Sequence, residues 1–471
     1  MTQKRKKRWP KVFFIVLLVL FAIGAGIVYY IMPVGSAFAA KTMCSCVFVA
    51  KIPADTVRKV ELATLSMFDV EVDYENKRTI GSLWGMRPQT VVYRPGVGCT
   101  VSAQTDPDEL QATTYPEPQT HLGTASQSLT DWITGTPDSS ANFEGLDSSR
   151  LRNAVHSLFV EDHPEGQKNT RAVVVVNQGK VLAEEYAPGF DRHSLMRGWS
   201  MTKSVTNALM GILVRQQRFD IYEPAPIPEW QADEDPRGGI TPDMLLRMSS
   251  NLDFLEVYAF RTDATEMLFM EPNTGKYASQ SPIDGEPGTR WSYSSGTTNI
   301  LSRIIRDRFS SYEDYLNFPY QELFGPLGME QVVMEPDVSG TFVGSSYLWA
   351  TPRDWAKFGQ LYLQDGIWQG ERILPEGWVA YSSTPTPTAP GGIYGAQFWT
   401  PTHAPMDGWY AGWSWPDVPE DAFAAEGYEG QLVCIIPSRQ TVIVRLGVTH
   451  NRATWNMNDW VAEILASLPE S

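Results

Sequence analysis

Trp199-Ser200-Met201-Thr202-Lys203-Ser204 is the stretch on which the reading of this 471-residue chain turns. Val205, Leu209, Ile212 and Leu213 follow at helical spacing, so a helix should begin here and bury that stripe. Residues three apart share a helix face, which brings the Lys203 amine within reach of the Ser200 hydroxyl. A serine at a helix start also sits at the positive end of the dipole, where a developing alkoxide is favoured. Lysine takes that proton only if burial or nearby positive charge lowers its pKa. The plain alternative is a serine that only caps the helix. Ser-x-x-Lys recurs by chance in long chains, so the motif needs company.

Two further stretches supply it. Tyr293-Ser294-Ser295 follows the Pro287-Gly288 turn and precedes a helix expected near Thr297. A tyrosinate there can share the serine proton, provided a lysine neighbour depresses its pKa. An interfacial aromatic is the alternative for Tyr293. Glu426-Gly427-Tyr428-Glu429-Gly430-Gln431 leads into a strand-like run beginning at Leu432. A glycine-rich strand start allows close backbone approach to a ligand; an edge-strand bulge is its alternative.

The surroundings give a fold class. Strands are expected from Ala172 to Val176 and from Val181 to Tyr186, joined by a turn over 177–180. Two more are expected over 431–436 and 441–446. Asp147-Ser148-Ser149 caps a helix carrying Leu151, Val155, Leu158 and Phe159, and Thr241-Pro242 opens another. Residues 250–330 read as irregular and helical, and the stretch from Trp455 to Leu468 as a closing amphipathic helix. This order implies an α+β fold. One antiparallel sheet takes its strands from both ends of the domain, is flanked by helices, and has a mostly helical region inserted.

Taken in this order, the motifs resemble the serine β-lactamase and penicillin-binding superfamily. The likeness is greatest to its class C-like branch of family VIII carboxylesterases and 6-aminohexanoate-dimer hydrolases. It covers roughly 146–468 and rests on Trp199 to Ser204, Leu245-Leu246-Arg247-Met248-Ser249-Ser250 with Asp253-Phe254, and Tyr293 to Gly296. Gly344-Ser345-Ser346 with Ala350-Thr351-Pro352-Arg353-Asp354-Trp355, and Glu426 to Gln431, complete it. The resemblance implies a β-lactamase-like fold and a small ester or amide substrate cleaved through an acyl-enzyme, without metal or organic cofactor. By that likeness Ser200 is the nucleophile, Lys203 and Tyr293 are the proton-transfer pair, and Ser295 orients Lys203. The backbone N–H groups of Ser200 and Tyr428 would form the oxyanion hole. Tyr258 matches a substrate-side tyrosine of the nylon-oligomer type, and Glu426 and Gly427 fall where the third motif meets substrate.

The chain departs from the pattern in three places. Penicillin-recognising members usually carry Lys-Thr-Gly or His-x-Gly on the third-motif strand, whereas this stretch has neither Lys nor His. Glu426 and Glu429 there are expected to repel a substrate carboxylate. Ser295 replaces the asparagine of most β-lactamases, and Asn251 stands where glycine often follows Met-Ser-Ser. The expectation is an esterase or amidase with weak β-lactam and D-Ala-D-Ala recognition. The alternatives are a penicillin-binding or cell-wall peptide-processing protein, of β-lactamase or DD-peptidase type, and an acylation-poor anchored binding or sensor module.

The amino terminus sets the compartment. Six Lys/Arg lie within residues 1–11, leaving 32 basic and 54 acidic residues, a net −22, on the remainder. An uncharged apolar run from Val12 to Met32 follows, and Pro33 is expected to stop it. Its 21 residues span about 31 Å as a helix, enough to cross a hydrocarbon core of about 30 Å. Basic residues on the near side predict a cytoplasmic stub, a single-pass anchor in the bacterial inner membrane, and a periplasmic body. The alternative is secretion after cleavage near Ala39, since Ala37-Phe38-Ala39 is an A-x-A pattern. The expected divisions are 1–39 as stub and anchor, 40–145 as a small, mostly β module with a linker over 102–143, and 146–471 as the hydrolase domain. Outside the cytoplasm Cys99 can pair with Cys44 or Cys46; Cys434 reads as a buried thiol.

Other classes are excluded on the same grounds. A body this acidic repels phosphate, so nucleic acid is not an expected partner. An α/β-hydrolase needs Gly-x-Ser-x-Gly, and Gly198-Trp199-Ser200-Met201-Thr202 lacks the second glycine. No His-Glu-x-x-His occurs, and His156 and His163 read as surface residues. The 16 tryptophans are expected to fill core and pocket walls.

Overall fold

The computed structural model describes residues 9–469 apart from 114, 116–144, 233, 260 and 330. A five-stranded antiparallel sheet forms its centre. The order across it is Phe423–Gly427, Gln431–Ile436, Thr441–Gly447, Thr170–Asn177 and Lys180–Tyr186. Strands from both ends of the domain thus meet, Val174 opposite Val444 and Val176 opposite Val442.

The valine run of Thr170–Asn177 explains why this sheet is buried on both faces. Val174 and Val176 join one hydrophobic cluster; Val173 and Val175 join another. The helices Met201–Arg215 and Pro352–Leu363 cover the first face, and Ser148–His156 and Met457–Leu465 cover the second. Cys434 is a buried free thiol on the second side. A smaller sheet pairs Met196–Arg197 with Leu348–Ala350, and that strand with Val332–Met334. It delivers the chain to the helix that begins at Met201.

The amino-terminal helix differs from the expectation. It runs from Trp9 to Cys44 with Pro33 inside it. A proline removes one backbone bond and clashes with the preceding turn, at a cost of about 3 kcal/mol. Burial beyond the proline offsets that cost. Ala37, Ala39, Ala40 and Met43 are fully buried, against an antiparallel meander of Asp69–Asp73, Arg78–Leu83, Met86–Arg94 and Gly98–Val101. A Cβ on Gly81 would lie 2.1 Å from the Ser36 carbonyl, so helix and sheet touch backbone to backbone. The division expected at 39/40, and the A-x-A pattern, therefore fall inside a buried helix. Upstream, the side chains from Phe13 to Leu20 are all exposed. This helix is long and apolar enough to cross a membrane, a test a signal sequence also passes.

The expected linker is partly structured: Pro107–Ala112 is a helix capped by Asp106. Residues 114 and 116–143 of that linker lie outside the described residues. Cys44 and Cys99 form a disulfide, while Cys46 is free and buried.

Glu335 ties the amino-terminal layer to the rest. Its buried carboxylate accepts from Lys41 Nζ at 2.6 Å, Ser45 Oγ at 2.9 Å, the Cys99 N–H at 2.7 Å and Trp349 Nε1 at 3.0 Å. A carboxylate with that many donors is a satisfied buried charge.

Candidate active site

The turn before the helix that opens at Ser200 is pinned at its backbone. Gly198 N–H donates to the Leu348 carbonyl at 2.8 Å, and Trp199 adopts a left-handed φ of +50°. Ser200 occupies the N-cap position, yet its hydroxyl makes no capping bond. The capping alternative is thereby removed, and the hydroxyl faces Lys203.

Lys203 is buried one turn along. Its Nζ lies 3.0 Å from Ser200 Oγ, 2.9 Å from Ser295 Oγ and 3.1 Å from the Ser345 carbonyl. Burial lowers its pKa to about 8, with the Glu256 carboxylate pulling the other way. Counting protons fixes the orientation of the neutral amine. Ser295 Oγ donates to Glu256 Oε1 at 2.6 Å, so it accepts from Lys203. The Ser345 carbonyl only accepts. Both N–H bonds of a neutral amine are then used, and its lone pair points at Ser200.

Glu256 organises the second layer and was not singled out in the sequence. Its Oε2 accepts the Ser295 N–H at 2.7 Å, and its Oε1 accepts the Ser295 and Tyr258 hydroxyls at 2.6 and 2.9 Å. Tyr258 also lies 3.0 Å from Ser295 Oγ. The helix bearing these contacts is Ser295–Arg306, capped by Ser294.

Tyr293 stands beside the lysine, its ring centroid 4.9 Å from Nζ, and hydrogen-bonds Ser200. Trp399 stacks on it at 5.3 Å, and Tyr394 meets it edge-on at 5.8 Å. Burial pushes the Tyr293 pKa up. The tyrosinate considered from the sequence is therefore disfavoured: the lysine lies over the ring face, and desolvation dominates. Tyr293 is a phenol at neutral pH.

The third motif packs its backbone against the turn before Ser200. A Cβ on Gly427 would lie 2.2 Å from the Gly198 carbonyl. Tyr428 is half exposed and packs edge-on to Trp199 at 5.6 Å. Glu429, at a left-handed φ of +63°, turns inward. It accepts from Trp199 Nε1 at 2.9 Å and faces Arg197 and His450 at 3.9 and 3.7 Å. Glu426 is buried, and its carboxyl is pushed up to about 7 by desolvation, with Arg452 opposing. Of the two acids expected from sequence to face substrate, Glu429 is thus turned inward, and only Glu426 borders the open space beside the strand. A cavity of about 550 Å³ runs beside this strand, lined by Glu426, Gly427, Arg452 and Trp455 among others.

A family model described as Beta-lactamase matches residues 156–463. The chain belongs to the beta-lactamase family. Within it, a 6-aminohexanoate-dimer hydrolase of Paenarthrobacter ureafaciens is 27% identical over 228 residues. That match covers 45% of this chain and 56% of the relative, so the chain spans little more than half its length. A candidate 6-aminohexanoate-dimer hydrolase from Bacillus anthracis superposes with a TM-score of 0.53 at 23% identity, covering 63% of this chain and 79% of that one. A family VIII carboxylesterase gives 0.51 at 14% identity, covering 68% and 96%. These likenesses establish the fold.

Within this family frame, Ser200, Lys203, Tyr293, Ser295 and Tyr258 converge, Glu426 lines the neighbouring cavity close enough for its charge to act on Tyr293, and Glu429 faces inward. Asn251 takes a φ of +58°, a conformation asparagine tolerates better than most residues. Its side chain bonds the Asp284 carbonyl at 3.0 Å and the Arg290 N–H at 3.1 Å. Among the described residues, no cluster of three or more His, Cys, Asp or Glu is placed to hold a metal ion.

Proposed function

We propose that this chain is a serine hydrolase that cleaves a small ester or amide through an acyl-enzyme on Ser200. The observation that carries the reading is Lys203: buried, lowered to about 8, and left with a lone pair only toward Ser200 Oγ. The amine takes the serine proton as Oγ bonds to the substrate carbonyl carbon. The N–H groups of Ser200 and Tyr428 receive the oxyanion. The phenol of Tyr293 relays a proton to the leaving alcohol or amine as the C–O or C–N bond breaks. Water then repeats the sequence and releases the acid. Relatives named for an amide substrate and for carboxylesters support this substrate class.

We further read residues 12–32 as an uncleaved anchor, with the stub cytoplasmic and the hydrolase periplasmic. The exposed apolar helix supports spanning, and the burial of Ala37 and Ala39 in a continuing helix supports retention. The test is to treat the full chain with a fluorophosphonate and weigh it intact. One adduct on the wild type and none on Ser200→Ala is expected; an unlabelled wild type at high reagent sinks the proposal. Efficient nitrocefin turnover would instead favour a β-lactamase.

A further inference from the structure

We propose that the active-site mouth is held against the bilayer surface and takes an amphiphilic ester or amide whose hydrophobic part stays in the membrane. This rests on the serine-hydrolase and anchor readings above. Tyr29 and Tyr30, both exposed, lie near the end of the apolar run. Aromatic residues at such an end mark the membrane–water interface. Two arginines from different parts of the fold stack on them: Arg87 over Tyr29 at 4.7 Å, and Arg261 over Tyr30 at 4.3 Å. Whatever carries these arginines is therefore at the interface too.

Arg87 follows a tight turn between Arg78–Leu83 and Met86–Arg94. That turn presents Trp84, 73% exposed, with Met86 beside it at 42%. A tryptophan this bare at a hairpin tip is costly in water and suited to a headgroup layer. Arg261 belongs to the loop that supplies Glu256 and Tyr258 to Ser295. The same loop exposes Leu255 (52%) and Val257 (43%). One segment thus reaches both the catalytic serine cluster and the membrane end of the helix.

The helix itself measures the distance. Phe38 meets Trp199, the residue before Ser200, edge-on at 6.1 Å. Phe38 lies eight residues beyond Tyr30, about 12 Å along the axis. The headgroup layer is about 5–8 Å deep on each side. The nucleophile therefore stands just above the headgroups, too close for a substrate to need to leave the bilayer fully.

The experiment uses the full chain in phosphatidylcholine vesicles. Trp84→Cys, labelled with a fluorophore, should be quenched by lipids doxyl-labelled near the headgroup. The paired substrates are 4-methylumbelliferyl palmitate, dissolved in the vesicles, and the soluble butyrate. Trp84→Glu/Met86→Glu should lose about tenfold on the palmitate while keeping the butyrate rate within about twofold. An unquenched label, or equal effects on both esters, overturns the inference and leaves the hydrolase reading intact. Absence of Ser200-dependent turnover of either ester overturns the hydrolase reading and this one with it. Release of the wild type from vesicles by alkaline carbonate overturns the anchor, and the inference falls.

Discussion

Replacing Glu256 with glutamine should make the enzyme work at lower pH. Lys203 must be a free amine to accept the Ser200 proton, so kcat/KM should rise with pH through a limb at about 8. At pH 7 only about a tenth of the amine is then free. The Glu256 carboxylate favours the ammonium form and so holds the limb up. Bonds of 2.9 and 2.6 Å join Lys203 to Glu256 through Ser295 Oγ. End to end they put the charges within about 5.5 Å, worth about 3 kcal/mol at an effective dielectric near 20. The dipole of the replacing amide recovers part of this, so the limb should fall by about one to two pH units. The plateau should also drop about tenfold, because glutamine cannot accept from both the Ser295 N–H and its hydroxyl. The assay is kcat/KM for p-nitrophenyl butyrate from pH 5.5 to 9.5, corrected with Ser200→Ala. A limb that stays near 8, or moves up, refutes the assignment of Lys203 as the titrating base.

Other perturbations test the remaining parts. Lys203→Met should abolish turnover yet raise thermal stability at pH 7 by about 1–2 kcal/mol, since it removes a buried amine whose ionised form is penalised. Because that pKa is depressed below 10.5, wild-type stability should gain from this group between about pH 8 and 10.5, and the variant should lack that gain in melting curves. Gly427→Ala must displace the strand from the Gly198 carbonyl, so turnover should fall at least about a hundredfold with the fold retained by circular dichroism. Glu429→Gln keeps an acceptor for Trp199 and should cost kcat far less than Glu429→Ala; equal losses would refute a positioning role for that bond. Glu335→Ala leaves the buried Lys41 amine without its carboxylate partner, and should cost about 3–5 kcal/mol in denaturant unfolding.

What the sequence made legible was local. The Ser-x-x-Lys helix, the valine hairpin and the two closing strands announce themselves within a few residues, through period and turn chemistry. Convergence of Ser200, Lys203, Tyr293 and Ser295 required the order of motifs as well. Glu256 stayed hidden because it acts on Ser295 from 39 residues away. Glu335 is further still, 294 positions from Lys41. A carboxylate's partners across such separations leave no periodicity to read; the one trace of Glu256 was its place two residues before Tyr258. Pro33 misled for the opposite reason. Its local rule was sound, but tertiary burial of the turns after it outweighed one lost backbone bond.

The third motif shows how orientation can reverse a chemical argument. Read as a string, Glu426-Gly427-Tyr428-Glu429 puts two negative charges where relatives keep a cation. In the fold, Glu429 is spent inward on Trp199, close to Arg197, where it couples the residue before Ser200 to the residue after Tyr428. Both residues carry left-handed backbone, so the bond links two constrained turns whose neighbouring N–H groups would cradle the oxyanion. Glu426 lies in the wall of the cavity with a carboxyl near 7. The exposed Arg452 shares that cavity and seats its guanidinium 5.6 Å over Trp413. Repulsion by acids is therefore weaker than the string implies, since only Glu426, partly ionised at neutral pH, borders the cavity. The other reason to refuse an anionic substrate is the missing strand cation, and Arg452 supplies positive charge from a neighbouring loop instead. Selectivity must then come from the aromatic wall of Tyr293, Tyr394 and Trp399 on one side, and from the exposed rim of Leu255, Val257 and Tyr258 on the other.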